Sequence, residues 1–243
     1  MLRTILAIGF AVLYLILGIP VLIVEYFIGK KNPRLRDISS LRMVQWAFRV
    51  INKICGVKLT VIGHENVPGD QAVLYVANHN SYFDIIITYS LCPDLTGYIA
   101  KDTLGKVPLL NIWMRRLYCL FMNRDDMKQS LKVILQGVEY IKQGISICIF
   151  PEGTRGDSQK MAPFKNGSMK IAEKTGCPVI PIAISNSRQI INDHMPFVKP
   201  AHVIVEYGKP IYPKELSKED RKILGTITQN VIQEMMDRHQ DII

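Results

Sequence analysis

The chain has 243 residues, enough for one sizeable α/β domain with an appendage and too few for two full-size catalytic domains. Thirty lysines and arginines against 21 aspartates and glutamates leave a net charge of +9, which suits a polyanionic partner: nucleic acid, an anionic membrane or a phosphorylated substrate. Finger, basic-zipper and aromatic RNA-binding signatures are absent, which sets nucleic acid aside, and the five widely spaced cysteines, Cys55, Cys92, Cys119, Cys148 and Cys177, read as reduced core residues facing a cytosolic environment.

The first element is apolar from Ile5 to Phe27 except for Tyr14, Glu25 and Tyr26. As a helix it would reach about 35 Å, against a hydrocarbon core of about 30 Å, so the spacing predicts an uncleaved membrane helix. Lys30, Lys31, Arg34 and Arg36 follow it and only Arg3 precedes it, which places the downstream domain on the cytoplasmic face of the cell membrane. Asn32-Pro33 breaks this helix, and Ser39 is the expected cap of the next. There Leu41, Val44, Phe48, Ile51 and Cys55 recur at three- and four-residue spacing, while Arg42, Arg49 and Lys53 share another face. That pattern fits an amphipathic interfacial helix turning its basic side to lipid phosphates, or a helix packed on the domain with that side in water.

From Val57 onward short β-branched runs alternate with helical segments, which predicts an α/β fold with a largely parallel sheet and crossover helices. Strands are expected at Val57–Ile62, Ala72–Ala77, Gly97–Ala100, Tyr118–Met122, Ile145–Phe150, Val179–Ile184 and His202–Tyr207. Helices are expected at Asp84–Leu91, Leu109–Leu117, Met127–Gln143, Gly167–Thr175 and Lys218–His239. Nothing repeats and no low-complexity linker intervenes, so residues 1–56 read as anchoring helices and residues 57–243 as one catalytic domain.

Two strand ends carry chemistry. The run Ala72–Ala77 leads into Asn78-His79-Asn80-Ser81-Tyr82-Phe83-Asp84. On one continuous helix His79 and Asp84 would lie about 140° apart, so they meet only if His79 is in a loop and Asp84 in the first turn of the next helix. A carboxylate on one imidazole nitrogen then fixes the tautomer and leaves the other nitrogen to accept a proton; otherwise His79 is a loop histidine and Asp84 an ordinary helix-start residue. The run Ile145–Ile149 leads into Phe150-Pro151-Glu152-Gly153-Thr154-Arg155, placing a rigid turn, a carboxylate, a hydroxyl and a guanidinium where open α/β sheets bind ligands. Glu152 either faces substrate or, as we favour, organises the turn. Arg124 lies just past Tyr118–Met122. If that strand neighbours Ile145–Phe150, the forks of Arg124 and Arg155 converge on one phosphate. Lys101 closes the Gly97–Ala100 strand as a further cation or a mere exposed edge.

Together Asn-His-x4-Asp and Phe-Pro-Glu-Gly-Thr-Arg resemble the glycerolipid acyltransferases, most closely the 1-acylglycerol-3-phosphate acyltransferases. The resemblance covers roughly Leu59 to Ile211. Lys101, Pro108 and Arg124 fit the family's second block, Val179-Ile180-Pro181-Ile182-Ala183 its fourth, and Lys165 a basic position close behind the third. Asn111 and Tyr118 stand where family members usually carry glycine.

The resemblance implies that His79, oriented by Asp84, takes the proton of the acceptor's free 2-hydroxyl as that oxygen attacks an acyl thioester of coenzyme A or acyl carrier protein. Phosphatidic acid is then made from lysophosphatidic acid beside membrane lipids. Arg124, Glu152, Gly153, Thr154, Arg155, Lys165 and Lys101 would form the substrate site, with no cofactor and no metal. Alternatives are the same chemistry on glycerol-3-phosphate or another lysophospholipid, a non-catalytic membrane lipid-binding protein, and a phosphoester hydrolase using the same arginines.

Overall fold

A computed structural model describes residues 1–156, 161–165, 167–240 and 242. All seven expected strands form: β1 (Val57–Ile62), β2 (Leu74–Ala77), β3 (Thr96–Lys101), β4 (Leu120–Met122), β5 (Ser146–Ile149), β6 (Val179–Ser185) and β7 (Ala201–Tyr207). They make a single sheet in the order β1-β7-β6-β2-β5-β3-β4. Every neighbouring pair is parallel except β6 with β7. The strands β6, β2, β5, β3 and β4 therefore point their carboxyl ends to the same edge, and the loops leaving that edge carry the residues singled out above.

Helices cover both faces, which is why the central strands β2, β5 and β6 are short, largely apolar buried runs. On one face, Leu41, Val44 and Ile51 of α2 (Pro33–Cys55), Ile87 of α3 (Phe83–Leu91) and Trp113 of α4 (Leu110–Arg116) pack with Tyr75, Ile180 and Val203. On the other, Val133 and Val138 of α5 (Met127–Lys142), Ile171 of α6 (Lys170–Thr175) and Ile232 of α8 (Leu224–His239) pack with Leu74, Val76 and Ile147. The helix expected over Lys218–His239 is in fact two, a short α7 (Lys218–Lys222) and α8. Burial pushes the Cys55 and Cys92 thiols up to about 11, so they pack as neutral core groups.

The 30-residue α1 (Leu2–Lys31) is long and apolar enough to cross a membrane. It lies alongside α2, antiparallel to it, and is tied to the rest of the chain at both ends. Arg3 donates to the Ile54 carbonyl at 3.1 Å, while Arg116 of α4 pairs with Glu25 and donates to the Leu22 carbonyl at 2.7 Å. Tyr14 packs at a tilt against Trp46 and Trp113, and Gly18 lies so close to Trp113 that an added Cβ would be 3.0 Å from the ring. Two of the polar residues that interrupt the apolar run thus face inward: beside Tyr14, Glu25 is buried and also accepts from Ser40 Oγ at 2.7 Å. The outward face keeps Ile5, Ile8, Val12, Ile16, Ile19, Ile23 and Phe27 exposed.

The cap of α2 is not Ser39. Asn32 accepts from the Leu35 amide at 3.0 Å with Pro33 in the first turn, so the residues that end α1 also start α2 and Ser39 falls inside it. Of the basic face, Arg42 donates to Gln45 Oε1 at 2.8 Å and Arg49 to the Gln45 carbonyl at 3.2 Å, while Lys53 is exposed.

Candidate active site

The main chain leaves the sheet after Ala77, and Asn78 replaces it in the ladder. Its side-chain amide donates to the Ile184 carbonyl at 2.9 Å and accepts from the Ile184 amide at 2.7 Å, as a peptide group would. The loop then bends into α3, whose first turn holds Asp84. Asp84 Oδ2 accepts from the Asn80 and Ser81 amides, each at 2.7 Å, and meets His79 Nδ1 at 2.9 Å. An oxygen that gathers amide donors in this way serves as an acceptor, so Nδ1 carries the proton and Nε2 keeps its lone pair. The imidazole stacks on Phe150 with ring centroids 4.2 Å apart, which fixes its plane. Here the expected strand, bend and helix bring His79 and Asp84 together, both buried.

The loop after β5 supports this one. Glu152 Oε1 accepts from the His79 amide at 2.6 Å and Oε2 from the Ala162 amide at 2.9 Å. Burial raises its carboxyl above the usual range, against the opposing pull of those two amides. Both oxygens are engaged by backbone amides, an arrangement that fits the turn-organising reading of Glu152. Gly153 adopts φ +77°, and an added Cβ would lie 2.7 Å from Lys165 Cε, so the lysine side chain crosses directly over the glycine. Asn166, beside it, lies outside the described residues.

Cations gather along the same edge. The Arg155 guanidinium sits 3.5 Å from the centroid of the Tyr82 ring, in the histidine loop. Arg124 has its guanidinium pKa lowered first by partial burial and then by the charge of Arg155, the electrostatic sign of two guanidiniums brought near each other. Lys165 passes over Gly153 in the same loop as Arg155, and Thr154 is exposed. Lys101 is exposed at the end of β3, two strands from β2, and among the described residues it forms no hydrogen bond with the rest of the site.

Tyr118 and Asn111, which depart from the resemblance, and Pro181, which fits it, have local explanations. Tyr118 holds φ +58°, a conformation that favours glycine, and its hydroxyl donates to Asp37 of α2. Its carbonyl would collide with a Cβ at position 97, so Gly97 supplies the close approach there. Asn111 donates to the Gly105 carbonyl at 3.1 Å. Pro181 sits within β6, a position usually closed to proline. Its carbonyl accepts from the Gly208 amide at 2.8 Å, just past the end of β7, so its missing N–H faces the side where the β6–β7 ladder has stopped.

Sequence reasoning missed the segment after β6. Asn186, at φ +70°, turns the chain back over the site, and Ser187 Oγ then donates to Asp84 Oδ1. Arg188 donates to the Gly156 carbonyl and pairs with Asp193 at 3.0 Å, and Asn192 Oδ1 accepts from Ser81 Oγ at 2.9 Å. The available signal was Ser185-Asn186-Ser187, a cluster of turn-forming residues directly behind a strand whose carboxyl end lies at the site.

Known proteins resemble this chain in sequence and in fold. The family model described as Acyltransferase matches residues 58–185, which contain every site residue except the segment after β6. A probable 1-acyl-sn-glycerol-3-phosphate acyltransferase of Mycoplasma pneumoniae is 35% identical over 138 residues, 55% of this chain and 52% of that protein, so the match spans about half the relative's length. A 1-acyl-sn-glycerol-3-phosphate acyltransferase of Helicobacter pylori is 33% identical over 74% of this chain and 73% of its own. The crystal structure of the 1-acyl-sn-glycerophosphate (LPA) acyltransferase PlsC from Thermotoga maritima superposes with a TM-score of 0.86 at 26% identity, covering 98% of this chain and 95% of that one. With the family model matching more than half of its length and the structural match covering nearly all of it, the chain belongs to the acyltransferase family.

Proposed function

We propose that the protein transfers an acyl chain from an acyl thioester to the 2-hydroxyl of 1-acylglycerol-3-phosphate, giving phosphatidic acid. The observation that carries this reading is the His79–Asp84 pair at one sheet edge with Arg124 and Arg155: a proton acceptor beside a cluster that suits a phosphate. His79 Nε2 takes the hydroxyl proton as the oxygen bonds to the thioester carbonyl carbon. Asp84 stabilises the imidazolium so formed. The tetrahedral intermediate then collapses with cleavage of the carbon–sulfur bond, and the proton held on Nε2 passes to the departing thiolate, which belongs to coenzyme A or acyl carrier protein. Glu152 and Gly153 shape the loop, while Arg124, Arg155, Lys165 and Lys101 attract the acceptor's phosphate.

Membrane lipids are the second partner. The outward face of α1 is a continuous apolar surface, and burying such a face in lipid contributes about 25 cal/mol for each Å² removed from water. Because α1 is clamped at both ends, that face, and not its whole circumference, meets lipid. Residues 1–56 thus serve as the membrane-contacting unit, residues 57–243 carry the chemistry, and Lys30, Lys31, Arg34 and Arg36 favour the cytoplasmic side.

The test is the purified full chain in lipid vesicles with an acyl thioester and lysophosphatidate, following free thiol and lipid product together. Thiol and phosphatidic acid should rise in equal amounts. Thiol release that is indifferent to the acceptor would identify a thioesterase instead, and product formed faster from glycerol-3-phosphate would reassign the acceptor.

A further inference from the structure

We propose that Ser187 is a positioning residue for the transfer: its hydroxyl engages the second oxygen of the Asp84 carboxylate and so sets the strength with which His79 holds a proton. This rests on the reading of His79 and Asp84 as the reacting pair. Asp84 and Ser187 are 0% and 1% exposed, so water does not compete for the contact. The three groups that meet Oδ2, the His79 ring and the Asn80 and Ser81 amides, all come from the loop that precedes α3. They gather on one oxygen and leave Oδ1 to a separate partner. Ser187 meets that other oxygen, Oδ1, from a different element, so both carboxylate oxygens are engaged and the charge of Asp84 is shared between its own loop and the segment after β6.

The serine is itself held in place. Asn186 before it takes the left-handed backbone conformation and donates from Nδ2 to the His202 carbonyl of β7 at 2.8 Å. Arg188 after it donates to the Gly156 carbonyl, in the loop that also donates its Gly156 amide to the His79 carbonyl at 2.9 Å. A hydroxyl anchored on both sides is a fixed donor. Without it the carboxylate would keep more of its charge for the ring, and an imidazolium facing it would release its proton less readily.

The experiment measures kcat/KM against pH for the full-length protein in vesicles, comparing wild type with Ser187→Ala and Ser187→Thr. Ser187→Ala should lower kcat by about tenfold, leave KM for the acceptor unchanged, and move the acid limb of the profile to higher pH by about half a unit to one unit. Ser187→Thr, which keeps a hydroxyl, should restore the wild-type limb. A purely structural serine would change the melting temperature without moving the limb. If Ser187→Ala does not fold, Ser187→Cys, a near-isosteric side chain with a weaker donor, should move the limb in the same direction by less. His79→Ala, run alongside, separates the two readings. If it retains turnover, the reacting pair is misassigned. If it is inactive while the Ser187→Ala profile superimposes on wild type or moves to lower pH, only the role of Ser187 is overturned.

Discussion

The sheet edge carries two polar regions built on opposite terms. At the end of β2, His79, Asp84, Ser187 and Glu152 are buried and bonded to one another or to backbone. Beyond β3, β4 and β5, Lys101, Arg124, Arg155 and Lys165 are exposed or half-exposed, and among the described residues none of them is bridged to a carboxylate. A group that moves a proton must be oriented before substrate arrives, because reorientation would add to the barrier. A group that binds a charge does better kept in water until the charge replaces the water, since an occupied guanidinium would first have to be released.

Substitutions in the two regions should therefore fail in different ways. The largest effect is expected at His79: His79→Ala should reduce kcat by roughly 10²–10⁴ with acceptor KM little changed and the unfolding midpoint intact. Steady-state kinetics beside a thermal melt check it, and a rise in KM at constant kcat would merge the two regions into one. Next come the arginines. Arg124→Ala or Arg155→Ala should weaken acceptor binding by about 1.5–3 kcal/mol, ten- to a hundredfold, and Lys should rescue only in part. An acceptor with the same glycerol and acyl chain but no phosphate should be indifferent to either change; equal losses on both acceptors would move the arginines to the thioester or to the architecture.

A smaller effect is expected where the regions touch. Gly153→Ala forces a Cβ into a left-handed backbone position and against Lys165, so it should destabilise the fold by about 1–2 kcal/mol in denaturant titrations. Acceptor affinity should drop with it, because the displaced lysine belongs to the cation cluster. The smallest belongs to Tyr82→Leu, which removes the ring beneath Arg155 and should cost about 0.5–1 kcal/mol of acceptor binding, or a few-fold. A kcat effect there, with affinity unchanged, would show that the ring serves the histidine loop.

The central strands β2, β5 and β6 were legible because each is a compact apolar run between turn residues, buried on both faces, whereas the edge strand β1 showed itself by apolar residues alternating with Lys58 and Thr60. The pairing of β6 with β7 was not, since nothing local reports whether a returning strand runs parallel or antiparallel. His79 and Asp84 were legible because the five-residue spacing admits contact only through a bend. The partner of Asp84 at Ser187 was not: it lies 103 residues away in a turn without hydrophobic period, and a lone serine carries no signature. The cap at Asn32 was missed for a different reason, that one residue both ends α1 and begins α2, whereas Ser39 looked like a start only when the two were read apart. For Glu152 the sequence left two readings, of which the turn-organising one was favoured, and the fold adds the two backbone amides that engage both its oxygens.

The pairing of Glu25 with Arg116 also sets an order of events. Glu25 leaves the ribosome 91 residues before Arg116 does, so for that interval α1 carries a carboxylate without the guanidinium that pairs with it in the finished fold. A charged side chain in a lipid-immersed helix costs roughly 2.5–3.5 kcal/mol at mid-span and less toward the ends, a penalty that weakens early insertion at this end of α1 without forbidding it. Once α4 has folded, the guanidinium covers the carboxylate from the domain side and the penalty is lifted. Were α1 to settle in a bilayer, that step would be coupled to completion of the domain, and a chain stalled before position 116 would lack the contact that covers Glu25.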